Sequence, residues 1–249
     1  MQAIIALGFG AFFLSSLSIG IRLVWLAHRN RGLPELLIGV GILGIGPAGF
    51  ALMVAAMGFE DHPGVAFGCL AAAQLSIALG AMAAYVFNWT VFRRDAAWAR
   101  AVIAVAGVVF AASFIGRFYA GSYSLPMRLD FWTEVGSFDM IACMMWGALE
   151  SLRYYGVMKR RARLGLADPL LTNRFLLWGL GIGSAGVGAL IANVVMIVRG
   201  TAMVELDGLT LSNSLFGLAA AVLMWIAFLP PAGYRRWIEG RARRAGAPA

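Results

Sequence analysis

Long apolar stretches separated by short polar segments make up most of this chain. Seven of them are long enough to cross a hydrocarbon core of about 30 Å, which takes about 20 helical residues. They cover residues 3–27, 36–58, 64–90, 99–119, 132–155, 172–198 and 210–230. These stretches are continuous and rich in Ala, Gly, Leu and Met, whereas membrane β-barrels show shorter, alternating segments. The pattern predicts an all-α integral membrane protein with seven transmembrane helices in a single domain, 1–249.

The composition supports this fold class. Hydrophobic residues make up 61% of the 249 residues and charged residues only 13%, and the mean hydropathy is +0.81. A water-soluble domain of this size could not bury so much apolar surface in one core. The first stretch lacks a basic segment before it, so we expect it to stay in the protein and not to be removed as a signal peptide.

The basic residues predict the orientation in the membrane. Loops alternate between two sides, and one side carries 17 of the 20 Lys and Arg residues. Because Lys and Arg accumulate in cytoplasmic loops, we expect the N-terminus outside and the C-terminus inside. The protein is then a multi-pass protein of the cytoplasmic (inner) membrane, whose basic side contacts anionic lipid headgroups. The same asymmetry explains the net charge of +8 without a nucleic acid partner.

Three matches between the two halves of the chain indicate an internal repeat. They pair Arg22 and Arg29 with Arg153 and Arg160, 36–42 with 176–182, and 92–94 with 234–236. The matches keep their order, and the offset between them grows from 131 to 140 to 142, as small loop insertions would produce. They predict a 3+1+3 architecture with repeats 1–94 and 132–236 and a connecting helix, 99–119. Apolar helices that end in Arg also resemble one another by chance, so both explanations stay open.

Both predicted repeats begin on the outer side of the membrane. The halves would therefore be parallel and related by an axis along the membrane normal. Parallel repeats of this kind occur in small sugar transporters of the SWEET type, whose Pro-Gln signature this sequence lacks. The similarity is one of topology and span count.

Glycines in two of the spans indicate close helix packing. In lipid, small residues let helix backbones approach and gain dispersion energy. The glycines concerned are Gly39 and Gly44 in the second span and Gly183 and Gly186 in the sixth. Pro47 lacks an amide hydrogen, so we expect it to kink the second span and to free a carbonyl that a neighbour or water must satisfy.

Polar side chains within the apolar stretches are candidates for function, because each is costly in a bilayer unless it is paired or hydrated. Several share one helix face and are expected to point into the bundle. The candidate ligand-binding residues are Asp139, Gln74, Tyr85, Asn88, Trp146 and Asn193. A pocket near the midplane is where transporters hold small ligands. Interhelical hydrogen bonds would explain the same residues as packing contacts.

Charged residues in or near the span ends are candidates for structural ion pairs. Asp139 could pair with Arg117, because a short hairpin joins the fourth and fifth spans. Glu150 could pair with Arg153, or with Arg22, on the inner side. Asp139 therefore has two explanations, a ligand or proton site and a structural ion pair.

The residue types exclude or disfavour several functions. The only Lys is Lys159, in a predicted cytoplasmic loop, so a lysine-linked retinal protein is excluded. No nucleophile has a base nearby in its own span, and the two Cys and two His are too dispersed for a metal site. We therefore expect neither an enzyme nor a metal or other cofactor.

Two functions remain. The first is a transporter that binds a small molecule in a central polar-lined pocket and moves it by rocking of two three-helix halves. The second is a ligand or membrane-state sensor, which would signal through the basic loop 156–174 and the basic amphipathic tail 234–245. A homo-oligomer or a cytoplasmic partner fits either function, and the sequence does not identify the ligand.

Overall fold

The computed structural model describes residues 2–125, 130–201 and 206–244, and within these ranges it is helical without strands. The helices are α1 (Gln2–Asn30), α2 (Leu33–Met57), α3 (Pro63–Phe92), α4 (Ala97–Ala120), α5 (Phe131–Arg163), α6 (Pro169–Arg199), α7 (Asp207–Phe228) and α8 (Ala232–Arg244). Each predicted span falls mainly within one of α1 to α7. The all-α prediction is confirmed for the part of the chain that the structure describes.

Six of the helices, α1 to α4, α6 and α7, are long and apolar enough to cross a membrane, as expected of a membrane-embedded protein. Helix α5 is the longest, with 33 residues, but Glu134, Asp139 and Glu150 make it less apolar. The seventh span therefore stays a prediction. The predicted basic tail lies in α8, except for Ala245, which is outside the described residues.

A carboxylate caps the start of α5. Asp130 Oδ1 accepts hydrogen bonds from the backbone N–H groups of Trp132 (2.8 Å) and Thr133 (3.1 Å), which lack partners within the first turn. Burial alone would raise the pKa of the Asp130 carboxyl, but these bonds and those from the Thr133 and Ser122 hydroxyls hold the pKa below its usual value. The carboxylate therefore stays charged at neutral pH and fixes where α5 begins.

A π-helical turn, Gly44–Ala48, interrupts α2 around Pro47. Pro47 has no amide hydrogen to donate, so the regular helical bonding pattern cannot continue there. The Gly44 carbonyl accepts a hydrogen bond from the N–H of Gly49. It also accepts one from the Ser76 hydroxyl of α3, whose oxygen lies 3.0 Å away. A neighbouring helix thus supplies a donor at the interruption.

Six helices form a ring in chain order. Helix α1 packs against α2 and α7, α2 against α3, α3 against α5, α5 against α6, and α6 against α7. Helix α4 packs against α3 and α5, outside this ring. We call the end of the ring that carries Asn30, Leu33 and Phe92 the basic end, because the predicted cytoplasmic loops lie there.

A close helix contact joins α2 and α3 at glycines. A Cβ placed on Gly80 of α3 would lie 2.9 Å from the backbone nitrogen of Ile45 and 3.0 Å from the carbonyl oxygen of Gly41, both in α2. A Cβ on Gly44 would lie 2.8 Å from the carbonyl oxygen of Ser76. Backbone atoms cannot move aside as flexible side chains can, so a larger residue at Gly80 would push α2 and α3 apart.

The other glycines predicted to pack also lie at helix contacts. A Cβ on Gly39 of α2 would lie 3.0 Å from the backbone nitrogen of Val24 in α1. Gly183 and Gly186 of α6 face α5, where a Cβ would lie 3.4 Å and 3.1 Å, respectively, from the nearest side-chain atom. Gly39 and Gly186 are therefore tight contacts, whereas Gly183 has room for a methyl group.

We expect Gly80→Ala to lower the free energy of unfolding by about 1–3 kcal/mol, because the added methyl group overlaps the backbone of α2. The matched control is Gly68→Ala in the same helix, where a Cβ would meet nothing within 4 Å. Thermal unfolding of the two purified variants in detergent measures the difference. Equal melting temperatures would show that the α2–α3 contact is not as tight as described.

Candidate functional site

A central cavity of about 110 Å³ lies within the ring. All six ring helices contribute to its wall, and α4 does not. The wall is apolar except for Ser15, Ser16, Asn88, Cys143 and Trp178. This corrects the expectation of a polar-lined pocket: most polar side chains of the spans are used in contacts between helices.

Asn88 is the one amide in this wall. It is 3% exposed, and within the described ranges its amide has no hydrogen-bond partner. The hydroxyl of Ser16, by contrast, donates to the Phe12 carbonyl one turn earlier at 2.7 Å, and the Cys143 thiol lies 3.5 Å from the Ala81 carbonyl. Asn88 is therefore the amide that an occupant of the central cavity would meet, beside Ser15 and Trp178.

Tyr85 and Asp139 join α3 to α5 away from this cavity. The Tyr85 hydroxyl oxygen lies 2.8 Å from Asp139 Oδ1 and 2.9 Å from the Asp139 carbonyl oxygen, and it donates to this pair of acceptors. Tyr85 packs in a cluster with Ala106 and Phe110 of α4. Asp139 Oδ2 is buried, with no hydrogen-bond partner among the residues described. The Tyr85 hydroxyl is thus the main compensation for burying this carboxyl group.

The expected ion pair between Arg117 and Asp139 does not form in the described structure. Arg117 Nη1 donates instead to Gln74 Oε1 at 2.6 Å, and its guanidinium carbon lies 4.8 Å from the centre of the Tyr123 ring. Arg117 is at the end of α4 away from the basic end, whereas Asp139 lies about two turns into α5 and is bonded by Tyr85. Burial raises the pKa of the Tyr123 hydroxyl, and the charge of Arg117 opposes this rise.

Trp146 also lies between α3, α4 and α5. Its ring centre is 5.8 Å from that of Tyr85 and 5.6 Å from that of Trp98. The Arg93 guanidinium carbon lies 5.6 Å from the Trp98 ring centre. These contacts place Trp146 in a row of aromatic rings at a helix interface, outside the wall of the central cavity.

Glu150 takes part in two ion pairs at the basic end. Its Oε1 lies 2.5 Å from Arg93 Nε, and its Oε2 lies 3.7 Å from Arg153 Nη1. The structure thus places Arg153 beside Glu150, but the closer partner is Arg93, which sequence reasoning did not select. Arg22 does not contact Glu150 in the described structure; it lines a second cavity.

Asn193, the last of the six candidate ligand residues, donates to the carbonyl of Ala189 in its own helix at 2.9 Å. Among the six candidates, only Asn88 lines the central cavity. The other five act at helix contacts or within one helix, which is the packing alternative that the sequence left open.

A second cavity, of about 440 Å³, lies between the central cavity and the basic end; we call it the vestibule. Ile19, Ile38 and Trp178 line both cavities. We call these three residues the partition, because one layer of their side chains separates the two spaces. The indole N–H of Trp178 is buried and has no hydrogen-bond partner in the described part of the chain.

The wall of the vestibule carries three charged side chains, Arg22, Arg174 and Glu35, among apolar and aromatic residues. Neither arginine has a carboxylate within 4.0 Å in the ranges that the structure describes. Arg174 Nε is buried without a hydrogen-bond partner there. The vestibule is therefore a space with unpaired donors.

Sequence reasoning missed the partition and Arg174 as site residues. The partition residues are apolar or aromatic, so a search for polar side chains within spans passes over them. One indication was present, because Ile38 and Trp178 are separated by the same 140 residues that align Gly41 with Gly181. Arg174 was counted only as a basic residue that sets orientation.

We expect Tyr85→Phe to lower the free energy of unfolding by about 1–3 kcal/mol, because the buried Asp139 carboxyl then loses its donor. Tyr119→Phe is the control, since Tyr119 is 83% exposed. The melting temperatures of both variants in detergent test this. A Tyr85→Phe protein as stable as the control would mean that Asp139 finds another donor.

Comparisons with known proteins do not indicate a function for this chain. No protein-family model, no curated protein and no solved structure matches this chain. Its function therefore has to be inferred from its own side chains and cavities.

Proposed function

We propose that this protein is a seven-helix carrier that binds a small molecule inside the ring and moves it across the cytoplasmic membrane. The observation that carries the proposal is the alignment of two cavities, the central cavity and the vestibule, on either side of the partition. The vestibule has the size of a small-molecule site, for which about 300–1,000 Å³ is usual. The central cavity, of about 110 Å³, is smaller than this range. We therefore expect a ligand to pass the partition and enter the central cavity only when the ring changes conformation.

The proposal includes α5 as the seventh span, with the N-terminus outside and the basic end in the cytoplasm. Helix α5 packs in the ring between α3 and α6, both of which are apolar enough to span. Its acidic residues Asp139 and Glu150 are bonded by Tyr85 of α3 and by Arg93, the first residue after α3. Polar groups that face a neighbouring helix in this way avoid contact with lipid. The excess of Lys and Arg at the basic end supports the orientation.

The residues around the central cavity support the internal repeat. Four of the five positions that α2 contributes are matched in α6 by residues 140 further along the chain. The matched pairs are Ile38 and Trp178, Gly41 and Gly181, Ile42 and Ile182, and Ile45 and Ala185. The glycines also have corresponding neighbours, because Gly39 faces α1 and Gly179 faces α5, while Gly41 faces α3 and Gly181 faces α7. Under this proposal a pseudo-twofold axis passes through the cavity, and α4 connects the halves.

The polar contacts between α3 and α5 suggest where the halves pivot. The bond from Tyr85 to Asp139 and the ion pair of Arg93 with Glu150 both hold this junction. The vestibule is lined by α1, α2, α3, α6 and α7, with no contribution from α5. We therefore place the pivot at the α3–α5 junction and the opening movement on the side of α1 and α7.

One contact favours the alternative function, a sensor. The Asn173 amide of α6 donates to the Tyr234 hydroxyl of α8, and Asn173 is adjacent to Arg174 in the vestibule wall. A ligand that moved Arg174 would thereby act on the basic helix α8. In a sensor this helix would signal to a cytoplasmic partner, and no molecule would cross the membrane.

Single-cysteine labelling tests the topology. In a protein whose Cys69 and Cys143 are replaced by Ser, we expect His62→Cys to react with a membrane-impermeant maleimide on intact cells. Arg94→Cys and Leu166→Cys should react only after the membrane is opened, because they flank the basic ends of α3 and α5; all three positions are exposed. Labelling of Leu166→Cys on intact cells would mean that α5 does not cross the membrane.

Accessibility of Cys143, which lines the central cavity and is 3% exposed, tests the carrier. In a Cys69→Ser background it is the only thiol. A carrier opens its centre to each side in turn, so we expect slow reaction with a charged methanethiosulfonate in both right-side-out and inside-out vesicles. Trp178→Ala should speed the reaction several-fold from the basic end, because it removes the largest side chain of the partition.

The control for this change is Trp225→Ala, since Trp225 is 42% exposed and lines neither cavity. Its labelling rate should equal that of the parent protein. If Cys143 reacts from the basic end alone in all variants, the ring does not alternate. The central cavity would then open to one side only, as expected of a sensor.

A further inference from the structure

The vestibule combines unpaired cationic side chains with apolar walls. Two guanidinium groups, Arg22 and Arg174, and one carboxylate, Glu35, line it. The Glu35 carboxylate lies against Gly32 at the start of α2, and no ion pair joins it to either arginine in the described ranges. The wall therefore carries an excess of one positive charge.

Two residues of the vestibule wall carry buried donors that have no acceptor among the described residues. Arg174 Nε and the Trp178 indole N–H are both buried and unpartnered in the residues that the structure describes, and Trp178 is only 5% exposed. Unpaired buried donors are costly, and a charged one is more costly still. A bound anion would satisfy them, and the planar guanidinium fork is suited to carboxylate and phosphate oxygens.

The rest of the wall is apolar and indicates the other half of the ligand. Phe87, Phe92, Phe175 and Phe228 face the cavity from α3, α6 and α7. An inorganic anion would leave these rings uncovered, whereas an aromatic or aliphatic body would contact them. The volume of about 440 Å³ leaves room for such a body beside the charged group.

We propose that the vestibule binds a monoanion carried on an apolar body, with Arg22, Arg174 and the Trp178 indole N–H as its donors. The inference rests on the proposed function, since it names the class of molecule that would use the route. Two sources share this chemistry, a free organic acid and an anionic lipid that enters from the cytoplasmic leaflet.

Equilibrium binding tests the anion site without any need for transport. The protein is placed in nanodiscs of phosphatidylcholine alone and titrated calorimetrically with benzoate and with its neutral counterpart, benzyl alcohol. We expect benzoate to bind more tightly than benzyl alcohol, and Arg174→Gln to weaken benzoate binding about tenfold or more. Arg174→Lys should lie between, because it keeps the charge and loses the fork.

Two further variants complete the set. Arg22→Gln alters an exposed residue and is the second test if Arg174→Gln does not fold; it should also weaken benzoate binding. Arg100→Gln removes the same charge from an exposed position of α4 outside both cavities and should bind benzoate like the parent protein. Absence of benzoate binding, or equal benzoate affinity in the parent protein and the vestibule variants, would overturn the proposal.

The source is identified by adding phosphatidylglycerol to the nanodiscs. If it competes with benzoate, and native mass spectra show it bound to the parent protein but not to Arg174→Gln, the occupant is a lipid. Unchanged benzoate affinity assigns the site to a free acid. Benzoate binding without alternating access of Cys143 would refute the carrier and leave the anion site standing, whereas alternating access without anion binding would do the reverse.

Discussion

Close approach of helix backbones is the constraint on which the rest of this structure depends. Helices in lipid gain little from apolar burial against one another, so they associate where dispersion contacts are dense. Gly41, Gly44 and Gly80 bring α2 and α3 to such a distance that a single Cβ would overlap backbone atoms. The same approach brings Ser76 to the Gly44 carbonyl beside the π-helical turn. That turn supplies Ile45 and Gly46 to the wall of the central cavity, so tight packing and cavity shape have one origin.

The distribution of polar groups follows from the cost of leaving them in an apolar medium. Between α3, α4 and α5, polar side chains bond across the helix contacts, as the bonds of Asp139, Glu150 and Arg117 show. These groups stiffen one side of the bundle and leave the central cavity apolar. Two unpaired donors, Arg174 Nε and the Trp178 indole N–H, belong to residues of the vestibule wall near the basic end. Polar bonds hold the helices together on the side of α3, α4 and α5, and the vestibule wall on the other side carries unpaired donors. Such a bundle is suited to movement about the bonded side.

The chain uses its two halves in different ways despite their similarity. Arg22 and Arg153 occupy matching positions in the proposed repeat, yet Arg153 lies near Glu150 and Arg22 faces the vestibule. Under the proposed repeat, one half therefore uses this arginine to hold a junction, and the other keeps it as an unpaired charge. Electrostatics therefore distinguishes two halves whose apolar packing is alike.

The sequence by itself determined the helical, membrane-embedded character, the approximate bounds of the helices and the glycine contacts. Hydropathy and backbone geometry are local properties, so runs of apolar residues and a proline such as Pro47 act wherever they occur. Only the tertiary structure decided the partners of the polar side chains. Asp139 is bonded by Tyr85 and Glu150 by Arg93, each more than fifty residues away in the chain. It also decided that Ile19, Ile38 and Trp178 form the partition, because α1, α2 and α6 bring these side chains together and no single helix carries that information.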